Sequence, residues 1–337
     1  MDDTELQRRR DRRARTRRRR QTRRRVGVAG ALTVVVVAVA VAIASATGSQ
    51  SPAHTAAKDR RGSHTTTRAS AAVHRPGSHR RARGESTAAV LGASTGVRGT
   101  ASVPVLMYHV IAPPLVGAPY PGLYVEPQEF AAQMHALKAA GWHAVTLDQL
   151  RASWIKGARL PAGKPIVLTF DNGYHSQYAA ALPVLRKLGW VADENIQLSG
   201  LPPSQGGLTS QEIKAMVDAG WELDTQGISH ADLNTLDAAQ LRYQIETARR
   251  IIQRRFGVPV NWFCYPSGHY DATVINAVRA AGYVGSTTVI PGWARPSTDP
   301  YRLPRLRVLG GTSPTALLQQ IAASQGAAPP PSSYGGA

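Results

Sequence analysis

Between residues 101 and 321 the sequence predicts an α/β fold with a parallel sheet, either doubly wound or, as about 220 residues suit, an irregular (β/α) barrel, preceded by one transmembrane helix and a disordered linker. Three observations predict it. Short β-rich runs alternate with longer helical ones, which implies parallel strands joined by crossover helices. The helical runs end on glycine, at Ala140-Gly141, Leu188-Gly189, Ala219-Gly220 and Ala281-Gly282, where a left-handed cap is needed. The polar clusters fall just after strands, the end at which parallel barrels build their sites.

Residues 26–46, VGVAGALTVVVVAVAVAIASA, carry no charge, and a helix of about 20 such residues spans the hydrocarbon core. Residues 1–25 form a basic tail with thirteen Arg against Asp2, Asp3, Glu5 and Asp11. The positive-inside rule then leaves the N-terminus cytoplasmic and the rest of the chain extracytoplasmic, a single-pass arrangement in the cell membrane. Ala44-Ser45-Ala46 also resembles a small-residue cleavage site, so a cleaved signal peptide is the alternative.

Residues 47–100 are Ser, Thr, Ala, Gly, Arg and His with almost no large apolar side chains, which predicts a disordered linker. They hold nine Lys or Arg against two acids, so tail and linker together carry +16 of the formal net charge of +19. The globular region is close to neutral, and the high isoelectric point is no argument for nucleic-acid binding. Residues 322–337 are predicted as a flexible Ala/Pro/Ser/Gly tail.

Within the domain, strands are predicted at Val103–His109, His143–Thr146, Pro165–Phe170, Trp190–Gln197, Trp221–Thr225, Val260–Tyr265, Tyr283–Thr288 and Arg305–Leu309. Helices are predicted at Pro127–Ala140, Tyr174–Leu188, Ser210–Ala219, Asp237–Phe256 and Ala272–Ala281. The single cysteine, Cys264, excludes an internal disulfide framework and a Cys-rich zinc site, and reads as a small buried residue at a strand end. Most of the six Trp read as core, with Trp293 in the loop PGWARP a candidate sugar platform.

Three polar clusters follow strands. IVLTF runs into Asp171-Asn172-Gly173-Tyr174, WELDT into Gln226-Gly227-Ile228-Ser229-His230, and NWFCY into Pro266-Ser267-Gly268-His269. Each alone reads equally as a helix cap, a loop residue or a turn. Their common position places them on one face of a barrel.

These segments resemble the motifs of the polysaccharide deacetylase (NodB-homology) family. LTFDNGY is similar to its first motif, usually TFDDGY; WELDTQGISHADL to its second; FCYPSGHYD to its aromatic-Pro-Gly loop. VPVLMYHV and DPYRLPRLRV resemble an opening and a late segment of one branch. The resemblance covers about 101–312. It implies a divalent metal, zinc or similar, that acidifies a water, a carboxylate that deprotonates it, and an N-acetylated amino-sugar polymer or oligomer as substrate. It makes Asp171 the candidate base, with Tyr265 a second candidate catalytic residue from the aromatic loop. Tyr174, Pro266, Gly268 and Trp293 are candidates for contacting substrate.

The usual metal ligands are one Asp and two His. Here their positions hold Asn172, Gln226 and His230, and only the last is retained. Neutral amide oxygens bind zinc far more weakly than carboxylate and imidazole. His109, His175 and His269 are the histidines from which a rearranged site would be built. Three functions stay open: a hydrolase of carbon–nitrogen (non-peptide) bonds in cell-envelope carbohydrate, a catalytically inactive carbohydrate-binding relic, and an anchored scaffold.

Overall fold

The computed structural model describes residues 94, 96–201 and 206–336. The predicted basic tail, the span at 26–46 and nearly all of the linker lie outside the described residues. Among the described residues no helix is long and apolar enough to cross a membrane.

Strands and helices alternate. In chain order they are β1 (Val103–Tyr108), α1 (Pro127–Ala139), β2 (Trp142–Val145), α2 (Leu147–Lys156), β3 (Lys164–Asn172), α3 (Leu182–Leu188), β4 (Asp193–Ile196), α4 (Ser210–Asp218) and β5 (Glu222–Thr225). There follow α5 (Ala238–Arg242), α6 (Ala248–Phe256), β6 (Trp262–Cys264), α7 (Ala272–Ala280), β7 (Gly285–Thr287), β8 (Trp293–Ala294), β9 (Leu306–Arg307) and α8 (Pro314–Ala323). The spatial order is β7-β6-β5-β4-β3-β1-β8, with β2 beside β3 and β9 beside β1. Every pair is parallel except β1 with β8.

The sheet curls round on itself. The segment before β9 bonds to β7, through Thr288 N–H to Leu303 O, while Val308 N–H reaches Met107 O beside β1. Alternation along the strands then sorts side chains to two faces. Leu106, Tyr108, Leu168 and Phe170 face the helices and pack with Phe130, Met134 and Leu137 of α1. Val103, Val105, Val145, Val167, Trp262 and Leu303 fill the lower interior. Thr169 and Asp171 continue the inward row of β3 above Val167.

Two predicted helices contain a π turn. Gln177–Ala181 precedes α3, and Tyr243–Thr247 joins α5 to α6. Helices α2 and α8 are additions to the predicted set. Helix α2 opens with a capping box in which Thr146 and Gln149 satisfy each other's backbone N–H groups.

The C-terminal segment, expected as a flexible tail, is bonded to the barrel. Tyr334 exchanges both backbone hydrogen bonds with Tyr270, at 2.7 and 2.8 Å. Tyr270 also donates its hydroxyl to Pro331 O, and Arg302 donates to Pro330 O. Helix α8 covers the predicted boundary at 321. Composition alone gave no sign of these backbone partners.

Candidate active site

A cleft of about 690 Å³ opens at the C-terminal ends of the strands. The three predicted clusters meet there: Asp171, Asn172, Tyr174, Gln226, His230, Tyr265 and Gly268 all line it. Pro266 is buried in its loop and is not among the lining residues. Trp293 lies elsewhere, a correction to its candidacy as a sugar platform. It pairs with Pro104 at the start of β1, packs edge-on to Trp142, and donates its indole N–H to Ile321 O. The antiparallel pairing of β8 carries it to the N-terminal end of β1, away from the cleft.

Asp171 is 1% exposed and held on all sides. Arg305, equally buried, donates to Oδ1 at 2.7 Å and Oδ2 at 2.9 Å, a two-point ion pair. Asn195 donates to Oδ1 at 2.9 Å. Burial alone would push the Asp171 carboxyl up; the Arg305 charge, with these hydrogen bonds, outweighs it and holds the group at about 2. Arg305 also donates to Thr169 Oγ1 and Thr288 O, which fixes its guanidinium across the barrel. The buried Cys264 thiol lies within 3.5 Å of both partners, and burial pushes it up to about 12.

His109 Nε2 lies 3.9 Å from Asp171 Oδ2. Its burial lowers it to about 4, so it is neutral near pH 7. His230 is also lowered, first by burial. The other two histidines proposed for a rearranged metal site are engaged elsewhere. His175 pairs with Glu212 at 2.9 Å and His269 with Asp232 at 3.1 Å, and neither lines the cleft.

The metal-ligand positions hold an amide cluster. Asn172 donates its Nδ2 hydrogens to Gln197 Oε1 and Gln226 Oε1, each at 2.9 Å. The carbonyl oxygen that Gln226 would offer to a cation is thus turned toward an N–H. The donor set of two neutral amides and one imidazole does not fit zinc. Among the described residues, the one group of three His, Cys, Asp or Glu side chains with donor atoms within 4.8 Å of one another is Asp193, Glu222 and Asp224, and none of these lines the cleft. Burial raises all three carboxyls; Glu222 raises Asp193 and Asp224 further, and Asp148 adds to the effect of burial on Glu222, which reaches about 8.

The loops that carry the site are pinned by glutamines from the two π turns. Gln177 donates Nε2 to both His109 O and Asp171 O, at 2.8 Å each, tying the ends of β1 and β3 together. Gln244 accepts from the N–H groups of Ile228 and Ser229 and donates to Ser229 Oγ. The extra residue of a π turn turns these amides toward the strand ends.

Tyr265 backs the cleft, but its hydroxyl donates to Tyr301 O and is raised by burial, so it is committed to the fold. Tyr174, half-buried, is pushed up to about 12 by desolvation. Arg305, Gln197, Asn195, Gln177 and Gln244 carried no role in the sequence analysis. The one available signal was their polarity at inward or strand-end positions.

A parallel (β/α) barrel with a buried Asp and a polar cleft at its strand ends is the arrangement in which barrels of this class build their active sites. Residues 159–286 match the family model described as polysaccharide deacetylase. The chain is 30% identical over 217 residues to the Bacillus subtilis (strain 168) protein YxkH, whose name places it among the polysaccharide deacetylases; the match covers 64% of this chain and 75% of that protein. The Streptococcus pyogenes deacetylase PplD, solved in complex with acetate, is similar at 27% identity and TM-score 0.60, covering 66% of this chain and 99% of that one. A polysaccharide deacetylase from Bacillus cereus is similar at 28% identity and TM-score 0.58, covering 66% and 69%. The chain belongs to the polysaccharide deacetylase family. The family acts on acetylated polysaccharides and is typically metal-dependent, so the amide cluster is a departure at the family's own ligand positions.

Proposed function

We propose that the cleft recognises an N-acetylated amino-sugar polymer of the cell envelope and holds it without hydrolysing it by the family's metal route. The observation that carries this reading is the wiring of the amide cluster. Both Nδ2 hydrogens of Asn172 are used by Gln197 and Gln226. Among the described residues no protein group donates to Asn172 Oδ1, and none accepts from Gln226 Nε2. One free acceptor and one free donor are what an acetamido group pairs with, through its N–H and its carbonyl. The cleft is therefore equipped for the acetamide and lacks the donor set for zinc.

Hydrolysis of the N-acetyl amide, with Asp171 as general base, is the second reading. The retained, ionised Asp171 on the cleft wall favours it. Against it, the positions that would hold the water-activating metal carry two neutral amides bonded to each other and one imidazole. In either reading, the uncharged run 26–46 with its basic flank supports a domain anchored on the outer side of the cell membrane.

The test is calorimetric binding of N-acetylglucosamine oligomers by the full-length protein, with acetate release followed in parallel, under chelator and under added zinc. Binding that ignores chelator, with no acetate released, is expected. The double variant Asn172→Asp/Gln226→His should gain zinc-dependent release. Acetate release by the unmodified protein, abolished by Asp171→Asn, would overturn the non-hydrolytic reading.

A further inference from the structure

Among the described residues, four non-glycine positions have a positive φ: Tyr120 (55°), Asn172 (79°), His230 (54°) and Ser267 (55°). All four line the same cleft. Such conformations cost on the order of 1 kcal/mol or more each and persist where the surroundings enforce them. Three of the four sit in the clusters that build the floor of the site. Tyr120 sits in none of them.

The fold gains little from Tyr120. The residue is 78% exposed, and its ring makes no stacking contact and its phenol no hydrogen bond among the described residues. The backbone beneath it is nevertheless firmly held. Pro119 and Pro121 flank it. Leu123 N–H closes a turn onto Tyr120 O at 2.9 Å. Gly310 N–H donates to Gly122 O, and a Cβ at Gly310 would lie 2.0 Å from Tyr124 O, so this loop and the one after β9 are in backbone contact. Pro119, Gly122, Leu123 and Leu309 line the cleft beside it. A rigid, strained support that presents a bare aromatic ring at a cleft mouth is built for a ligand.

We infer that Tyr120 is a stacking platform for a second pyranose ring of the bound polymer, a subsite outside the acetamide position at Asn172 and Gln226. The apolar face of a sugar ring packs on an aromatic face, and the rim at Leu123 and Leu309 extends the apolar surface. This subsite rests on the carbohydrate reading of the cleft, and it makes the site one for oligomers rather than for single sugars.

The experiment compares binding of N-acetylglucosamine and of its tetramer to the full-length protein and to Tyr120→Ala, Tyr120→Trp and Tyr120→Gly. Tyr120→Ala should weaken the tetramer about tenfold and leave the monosaccharide unchanged, a loss typical of removing one aromatic anchor. Tyr120→Trp should retain tetramer binding. Tyr120→Gly should weaken the tetramer equally while raising the melting temperature, because glycine relieves the positive φ. An unchanged tetramer affinity in Tyr120→Ala, with the unmodified protein binding it, overturns the subsite alone. An equal loss for monosaccharide and tetramer places Tyr120 in the acetamide site and also overturns it. Failure of the unmodified protein to bind either sugar overturns the carbohydrate reading and the subsite with it.

Discussion

Replacing Arg305 by Met tests how the centre of the barrel is held together. Arg305 is 1% exposed and places its guanidinium across both oxygens of Asp171. Its removal leaves a buried carboxylate whose one remaining strong donor is Asn195, at 2.9 Å. Breaking a buried pair from one side costs about 3–5 kcal/mol, because the surviving charge stays desolvated. For a domain of this size that is a fall in melting temperature of roughly 6–20 °C. Asp171→Asn strands the guanidinium instead and should cost a similar amount. The double variant Asp171→Asn/Arg305→Met removes both charges, so its loss should be smaller than the sum of the single losses by about 2 kcal/mol or more. The assay is urea unfolding of all four proteins with equal slopes. The pH dependence supplies a second signature. In the unmodified protein Asp171 is held at about 2, so its contribution is present above the usual carboxylate range and is lost as pH falls through about 2. In Arg305→Met burial is no longer opposed, the carboxyl rises, and acid should relieve the variant rather than harm it. Additive losses within about 0.5 kcal/mol would refute the pairing as the source of the stability.

Two further predictions concern acids that the cleft does not use. Asp193, Glu194, Glu222 and Asp224 are all raised by burial, Glu222 to about 8, so the folded state holds protons that the unfolded chain releases. Their contribution is full below about pH 4 and is lost as pH rises toward 8 and beyond. The melting temperature should therefore fall between pH 5 and 9, and Asp193→Asn should flatten that fall; a profile that is level or rises would contradict it. Glu194 is 1% exposed and, among the described residues, neither carboxylate oxygen has a hydrogen-bond partner. Glu194→Met should stabilise the protein by about 1–3 kcal/mol at pH 7.5 in urea unfolding, and a loss of more than 1 kcal/mol would sink the reading of Glu194 as an uncompensated acid.

The barrel was legible because its signals are local. Strand runs such as IVLTF and glycine stops at Gly141, Gly189, Gly220 and Gly282 depend on neighbours in sequence, and the elements appear close to where they were expected. Strand β8 and helix α8 were less legible, since they form through partners on distant segments. Asp171, Asn172, Gln226 and His230 could be placed on one face because strand ends converge in any parallel barrel. Arg305 could not be paired with Asp171 by the same logic. Arg305 lies 134 residues away, just before β9, and only closure of the sheet brings the two side chains together. Gln177 and Gln244 were hidden for another reason: a π turn shifts the helical register by one residue, and a pattern of period 3.6 does not reveal it.

The chemistry at Asn172 is best understood through its neighbours. An Asn amide has two N–H donors, and Gln197 and Gln226 supply one acceptor to each. If Asn172 alone had replaced the carboxylate, a His at position 226 would present a ring nitrogen to one of these hydrogens and the cluster would keep a metal-binding group with no metal to hold it. If Gln226 alone had replaced the imidazole, a charged Asp at 172 would sit in a site that is 6% exposed at that residue, with no cation beside it. The second of these single changes leaves a buried charge uncompensated. The pair of changes, with Gln197 completing the cluster, satisfies both Nδ2 hydrogens of Asn172 without a net charge. The site is therefore a self-consistent neutral arrangement, and conversion to a metal centre requires both positions to change together. Asp171 stands outside this exchange, because its charge is matched by Arg305.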